Sequence, residues 1–341
     1  MRLHRITNPE SIDERLFAHI LANGAHRIVV QFNEESRYKG SILEDVNRAC
    51  KSFGAKLNVR FWGHYGAHFD CRYLRQLPEV RSLNLDCLAA VANIDELAGL
   101  QHLEEFAFGV FESDLPELLR TPSLINVRRL ILAESRKNNT DLSPLADYQY
   151  LDELSLNAQA RGIESIAHHD GLRRLFLSSM GNKLSLKFVQ TMNGLVSLTL
   201  MLGGRVDLSD LAHHGIRHLE VLRVRGIAEI DLALFPGIEK LRVEDQIQLQ
   251  ALNVKRGPNL RWLSIWNCRT FSELQGVRDA ENLRYLFIGK TGLEPDAILL
   301  NLPRSLKHLS ITGYGKRQAD ELKSRTKAMG FDPAPYMEDP D

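Results

Sequence analysis

Cysteine is scarce in these 341 residues. The four present, Cys50, Cys71, Cys87 and Cys268, are widely scattered and form no C-x-x-C pair. That excludes a secreted disulfide framework, argues against a thiolate zinc site and points to a reduced, cytoplasmic setting. Long apolar runs are missing too. No stretch approaches the ~18 consecutive apolar residues that cross a bilayer. The opening decapeptide, MRLHRITNPE, lacks the apolar core of a signal peptide. No membrane association is expected. Net charge is also absent, with 43 Lys plus Arg against 43 Asp plus Glu. A protein that coats nucleic acid normally carries a basic excess, so no nucleic-acid partner is expected. The neutral total hides an uneven profile. Residues 1–85 carry 13 basic and 9 acidic side chains, residues 86–160 carry 5 and 13, and residues 161–341 carry 25 and 21. Catalytic motifs are missing as well: there is no G-x-x-x-x-G-K-[ST], no G-x-S-x-G and no H-E-x-x-H. The expectation is a non-enzyme without cofactor or metal.

What is abundant is leucine. There are 54, and 49 of them lie from Leu74 onward. They recur in an L-x-x-L-x-L pattern that begins Val80/Leu83/Leu85, Leu103/Phe106/Phe108, Val127/Leu130/Leu132 and Leu151/Leu154/Leu156. It continues Leu172/Leu175/Leu177, Leu195/Leu198/Leu200, Leu219/Leu222/Val224 and Ile238/Leu241/Val243. It closes with Leu260/Leu263/Ile265, Leu283/Leu286/Ile288 and Leu306/Leu309/Ile311. Successive starts differ by 23, 24, 24, 21, 23, 24, 19, 22, 23 and 23 residues. A period so steady over eleven units is an architecture, because one unit cannot bury its own apolar face and a stack of units can. Further apolar anchors in each second half, such as Ile94/Leu97, Leu142/Leu145, Leu208/Leu211 and Phe271/Leu274, turn the chain back.

Over residues 74–315 the sequence resembles the leucine-rich repeat family. Its short units, with turns such as Leu142-Ser-Pro-Leu145, look most like bacterial internalin-type repeats. The resemblance implies an α/β solenoid, a horseshoe with a parallel β-sheet on the concave face and short helices or 3₁₀ turns on the convex face. Two features depart from the family. Its usual Asn or Cys, three residues after the last strand leucine, is matched only by Cys268, so a polar ladder is largely absent. Leu249-Gln-Ala-Leu252-Asn-Val254 resembles an extra strand motif, and its spacing from Ile238 places it on the convex side. The ends differ from the middle. Residues 1–73 read as helix–strand–helix–strand, with capping-box patterns Ser11-x-x-Glu14 and Ser41-x-x-Glu44. They form an N-terminal α/β cap continuous with the solenoid. Residues 316–341 supply a capping helix near Gln318–Met329, then a disordered Pro-rich tail from Asp332.

Few residues suggest chemistry. The pairs His168-His169 and His213-His214 precede strands two repeats apart, ~10 Å from one another, which is too far to share one metal. They read as duplicated, solvated convex turns. Cys87 and Cys268 read as small buried core residues rather than nucleophiles. The loop Trp62-Gly-His64-Tyr65-Gly-Ala-His68 is either a ligand contact or cap packing, with packing favoured.

The binding signal lies on the concave columns, the third, fifth and seventh positions of each strand motif. Toward the C-terminus these columns hold Arg223, Arg225, Lys240, Arg242, Trp262, Trp266, Tyr285, Phe287 and His308. Aromatic and arginine side chains dominate interface hot spots, and large aromatics on an open sheet face have no packing reason to be there. Glu105 and Glu153 make the same columns acidic toward the N-terminus. Leucine-rich repeats are typically interaction modules. The expectation is therefore an intracellular scaffold that binds a protein, with an acidic partner suggested by the basic columns, and neutralises or regulates it as an immunity protein does. A ubiquitin-ligase-like effector would need a separate catalytic domain, and a metal-dependent hydrolase would need the histidine pairs.

Overall fold

A computed structural model describes residues 3–313 and 315–336. They form two compact bodies, Met1–Leu172 and Arg173–Asp341.

In the first body the strands Leu3–Thr7, Arg27–Phe32, Leu57–Phe61, Ser82–Leu88, Glu105–Val110, Arg129–Leu132 and Glu153–Asn157 pair in chain order, all parallel. Parallel neighbours need a crossover, and here each is built from short helical segments. The largest register offset, from Ile28 to Leu57, makes room for the 12-residue helix Ile42–Phe53. Later crossovers shrink to 3₁₀ turns such as Ile94–Gly99 and Ser143–Asp147. Alternate strand residues, among them Val30, Val59, Leu83, Leu85, Phe106, Leu130 and Leu154, point into a fully enclosed core. Residues 1–73 are not set apart from this ladder, since Asn58 lies directly opposite Ser82. The capping differs from the sequence expectation. Asp13, not Ser11, caps the helix Glu14–Ala22, its carboxylate accepting from the Arg15 and Leu16 amides at 2.9 and 3.1 Å. Ser41 stands at the second N-cap without a side-chain hydrogen bond.

In the second body the strands Arg174–Ser178, Ser197–Met201, His218–Leu222, Lys240–Glu244, Trp262–Trp266, Tyr285–Gly289 and His308–Thr312 pair in the same way. Every strand is followed by a residue with left-handed backbone: Ser179, Leu202, Arg223, Asp245, Asn267, Lys290 and Gly313. Only one is glycine, so the corner is held against a cost of about 1 kcal/mol at each other position. Ala251–Asn253 pairs with Glu273–Gln275 in a separate two-stranded sheet, Leu252 opposite Leu274. The leucines at 249–254 thus lie outside the main sheet.

The polar ladder is less depleted than it reads. Gln159 and Gln246 occupy the slot usually held by Asn. Gln159 Nε2 donates to the Ala133 carbonyl at 3.1 Å, and Gln246 Nε2 donates to the Val221 and Glu244 carbonyls at 3.3 and 2.9 Å. Cys268 adds a thiol at the equivalent position, accepting from the Gln246 amide. The closing helix spans Lys316–Ala328 and buries Leu322 and Thr326, while Met329 stays exposed.

The expected disorder beyond Asp332 does not extend through the described residues. The Leu309 amide donates to the Asp332 carbonyl at 2.8 Å, so Asp332 adds a bridge alongside His308. Residues 333–336 then run over the concave side. The rest of that tail, 337–341, lies outside the described residues.

Candidate protein-binding surface

The register decides which side chains share the concave face. Leu219 stands opposite Leu241, and Val221 opposite Val243. The seventh repeat is therefore Ile216/Leu219/Val221, not Leu219/Leu222/Val224. Its concave positions are His218, Glu220 and Leu222, while Val221 is fully buried in the core. Arg223 and Arg225 thereby leave the concave columns. Arg223 occupies the left-handed corner after the strand and bonds Asp245 at 2.8 Å. Arg225 lies further on, its backbone bridging Gly204. The uneven spacings of 24 and 19 residues were the mark of this slip, because the corrected start gives 21 and 22.

The other seven candidates do lie together. Leu263 and Ile265 enter the core, so Trp262, Ser264 and Trp266 face the concave side. Trp262 and Phe287 are nevertheless only 7% and 8% exposed, which makes them a packed floor rather than open anchors. The Tyr285 ring stacks on His308 with centroids 4.3 Å apart and planes within 5°. Trp266 tilts against Phe287 at 5.8 Å and lies over Gly289, where a Cβ would run into the indole. Lys290 brings its Nζ 4.8 Å from the Trp266 ring centre.

Sequence reasoning missed Tyr336. Its ring sits 5.3 Å from Trp266 and 5.1 Å from Phe287, and the Arg242 guanidinium lies 5.3 Å over its face. Its hydroxyl donates to Glu244 Oε2 at 2.6 Å. Burial, then this bond to Glu244, pushes the phenol pKa up to about 12. Arg242 also pairs with Glu244 at 2.6 Å and with Glu220 at 3.4 Å. The basic cluster expected here is therefore largely matched by carboxylates. An aromatic residue in a Pro-rich stretch, Pro333-Ala-Pro-Tyr336, was the available signal.

The acidic face expected toward the N-terminus is likewise matched by arginines, two from cap strands and one from a repeat strand. Arg27 pairs with Glu105 at 2.5 Å, Arg60 with Asp86 at 2.6 Å and Arg129 with Glu153 at 2.7 Å. Trp62 packs beneath Arg60, whose guanidinium is 5.1 Å from the indole centre. Cys87 is half-buried with a left-handed backbone, rather than a core residue, and Arg60 Nη2 lies 3.9 Å from its sulfur. Cys268 is buried, and burial raises its thiol to about 11.

The histidine pairs are not simply solvated. One member of each is buried and ties a turn to the preceding repeat. His169 Nε2 bonds the Tyr148 carbonyl. His213 Nε2 donates to the Met192 carbonyl at 3.0 Å, and its Nδ1 accepts from the Gly215 and Ile216 amides at 3.0 and 3.1 Å. Both ring nitrogens of His213 are thus committed to backbone, and burial lowers its pKa.

Neither a family model nor a curated protein sequence matches the chain. Solved structures do. An internalin, InlF, from Listeria monocytogenes aligns at a TM-score of 0.58 and 18% identity, covering 92% of this chain and 87% of that one. The chain has the leucine-rich repeat fold. A leucine-rich repeat protein of Leptospira interrogans aligns at 0.47 and 12%, covering 93% and 91%. Among the described residues of this repeat protein, no helix is long and apolar enough to cross a membrane.

Proposed function

We propose that the chain is a non-enzymatic protein-binding scaffold that engages its partner through the concave face of residues 173–336. One observation carries this reading: Trp266, Phe287 and Tyr336 converge beside Arg242 on a sheet face whose strand backbone already has its hydrogen-bond partners. Side chains of these types, gathered at one point, are what interface hot spots are made of. Four strands, from Lys240–Glu244 to His308–Thr312, span ~14 Å, enough for the centre of a standard interface with a rim around it.

The pairing of Arg242 with Glu220 and Glu244 and of Arg223 with Asp245 favours an aromatic, apolar partner surface over an acidic one. Neutralising or regulating that partner, as an immunity protein does, requires only occupation of the partner's working surface. A hydrolase built on the histidine pairs has less support, because the ring nitrogens of His213 already serve the backbone. Capture of partners from source lysate on the immobilised parent and on Trp266→Ala tests the proposal. A protein retained by the parent and lost from the variant supports it. Equal retention by both contradicts it.

A further inference from the structure

The concave patch is already occupied, and by this chain. The segment that follows Asp332 crosses from the last strand, His308–Thr312, to the strand Lys240–Glu244. It does so in ligand-like fashion. Ala334 is buried, with its amide donating to Ser310 Oγ and its carbonyl accepting from the same hydroxyl, each at 3.0 Å. Two residues on, Tyr336 fills the space between Trp266 and Phe287 and reaches Glu244. Anchors at alternate positions are how an extended segment presents one side to a surface. Pro333 and Pro335 flank the first anchor, and proline pre-sets an extended backbone that loses little entropy on docking. The floor of this sheet face keeps unused capacity. Trp262 Nε1 and Ser264 Oγ are buried on this face without a hydrogen-bond partner in the protein.

We infer that the concave site recognises an extended, proline-containing protein segment through a tyrosine whose hydroxyl donates to Glu244, and that the chain's own tail is a tethered stand-in for that segment. This rests on the proposed function and specifies its partner. A tether of this kind presents its end at ~1 mM effective concentration. A tail with an intrinsic dissociation constant of ~0.1 mM would then be docked about nine-tenths of the time and would weaken a competitor about tenfold.

The test uses the full-length chain and a fluorescein-labelled peptide, DPAPYMEDPD, matching residues 332–341. The Tyr336→Ala protein is expected to bind it about tenfold more tightly than the parent, and Tyr336→Ala/Trp266→Ala to lose that binding. A peptide with Phe in place of the tyrosine is expected to bind Tyr336→Ala at least several-fold more weakly, since Glu244 then lacks its donor. Failure of Tyr336→Ala to gain affinity overturns the stand-in, and so does early melting of that variant without binding, which makes the tail a structural closure. Equal binding of the Phe peptide overturns the hydroxyl recognition. If partner capture still depends on Trp266 while the peptide does not bind, the tyrosine-bearing partner falls and the concave scaffold stands.

Discussion

His213 donates to one carbonyl and accepts from two amides, an arrangement open only to the neutral ring. Burial holds its pKa below the ordinary value. The unfolded chain therefore takes up the proton first as pH falls. The contribution to stability is complete above about pH 6.5 and declines below it. Melting temperature should fall more steeply between pH 7 and pH 5 for the parent than for His213→Gln. The variant should also lose about 1–3 kcal/mol at neutral pH, through backbone groups left unpaired. A parallel pH dependence would contradict this role. The two tryptophans separate in the same terms. Trp262→Ala empties a packed floor position and should cost about 3–5 kcal/mol by thermal or denaturant unfolding. Near-parent stability would show that the floor collapses without loss. The sequence could not make that distinction. Column position gives the face of a sheet, and Trp262 and Trp266 share it, whereas burial depends on what lies above them. Trp266 meets the Tyr336 ring, 70 residues away in a tail that carries no leucine pattern.

At the scale of elements, the strands were the most legible part, because L-x-x-L-x-L binds periodicity to burial residue by residue. The single register slip arose where Leu219 can open one motif or occupy the fourth position of another. The left-handed corner resolves it: Arg223 falls in the same column as Asp245, Asn267 and Gly313. The ladder was harder to read, because Gln reaches the carbonyls that Asn would reach and so hides among ordinary polar residues. Cap strands contribute charge as well as closure. Arg27 and Arg60 belong to strands that precede the leucine pattern, and they pair with Glu105 and Asp86. Deleting residues 1–73 should strip the ladder partner from Ser82–Leu88 and orphan these carboxylates, so the remaining chain is expected to aggregate. A soluble, monomeric, cooperatively melting fragment of residues 74–341 would contradict that. Size-exclusion chromatography with a melting curve decides it.

Across the whole molecule the +4, −8, +4 charge profile of the sequence does not become three charged regions. Ion pairs within the first body match Asp86, Glu105 and Glu153, and carboxylates in the second match Arg223 and Arg242. With these charges paired inside the protein, the proposed binding rests on shape and aromatic contact. That places the weight on Trp266, which stays half-buried beside Tyr336, whereas Leu300 is an exposed apolar residue at the end of the helix Pro295–Leu299. The most direct measurement is a paired one, partner affinity and melting temperature for the parent, Trp266→Ala and Leu300→Ser. Binding through the concave face requires Trp266→Ala to lose about 2 kcal/mol or more of affinity, with a melting temperature close to the parent's, while Leu300→Ser keeps both. Undiminished affinity in Trp266→Ala, or loss of affinity in Leu300→Ser alone, would place the binding surface elsewhere.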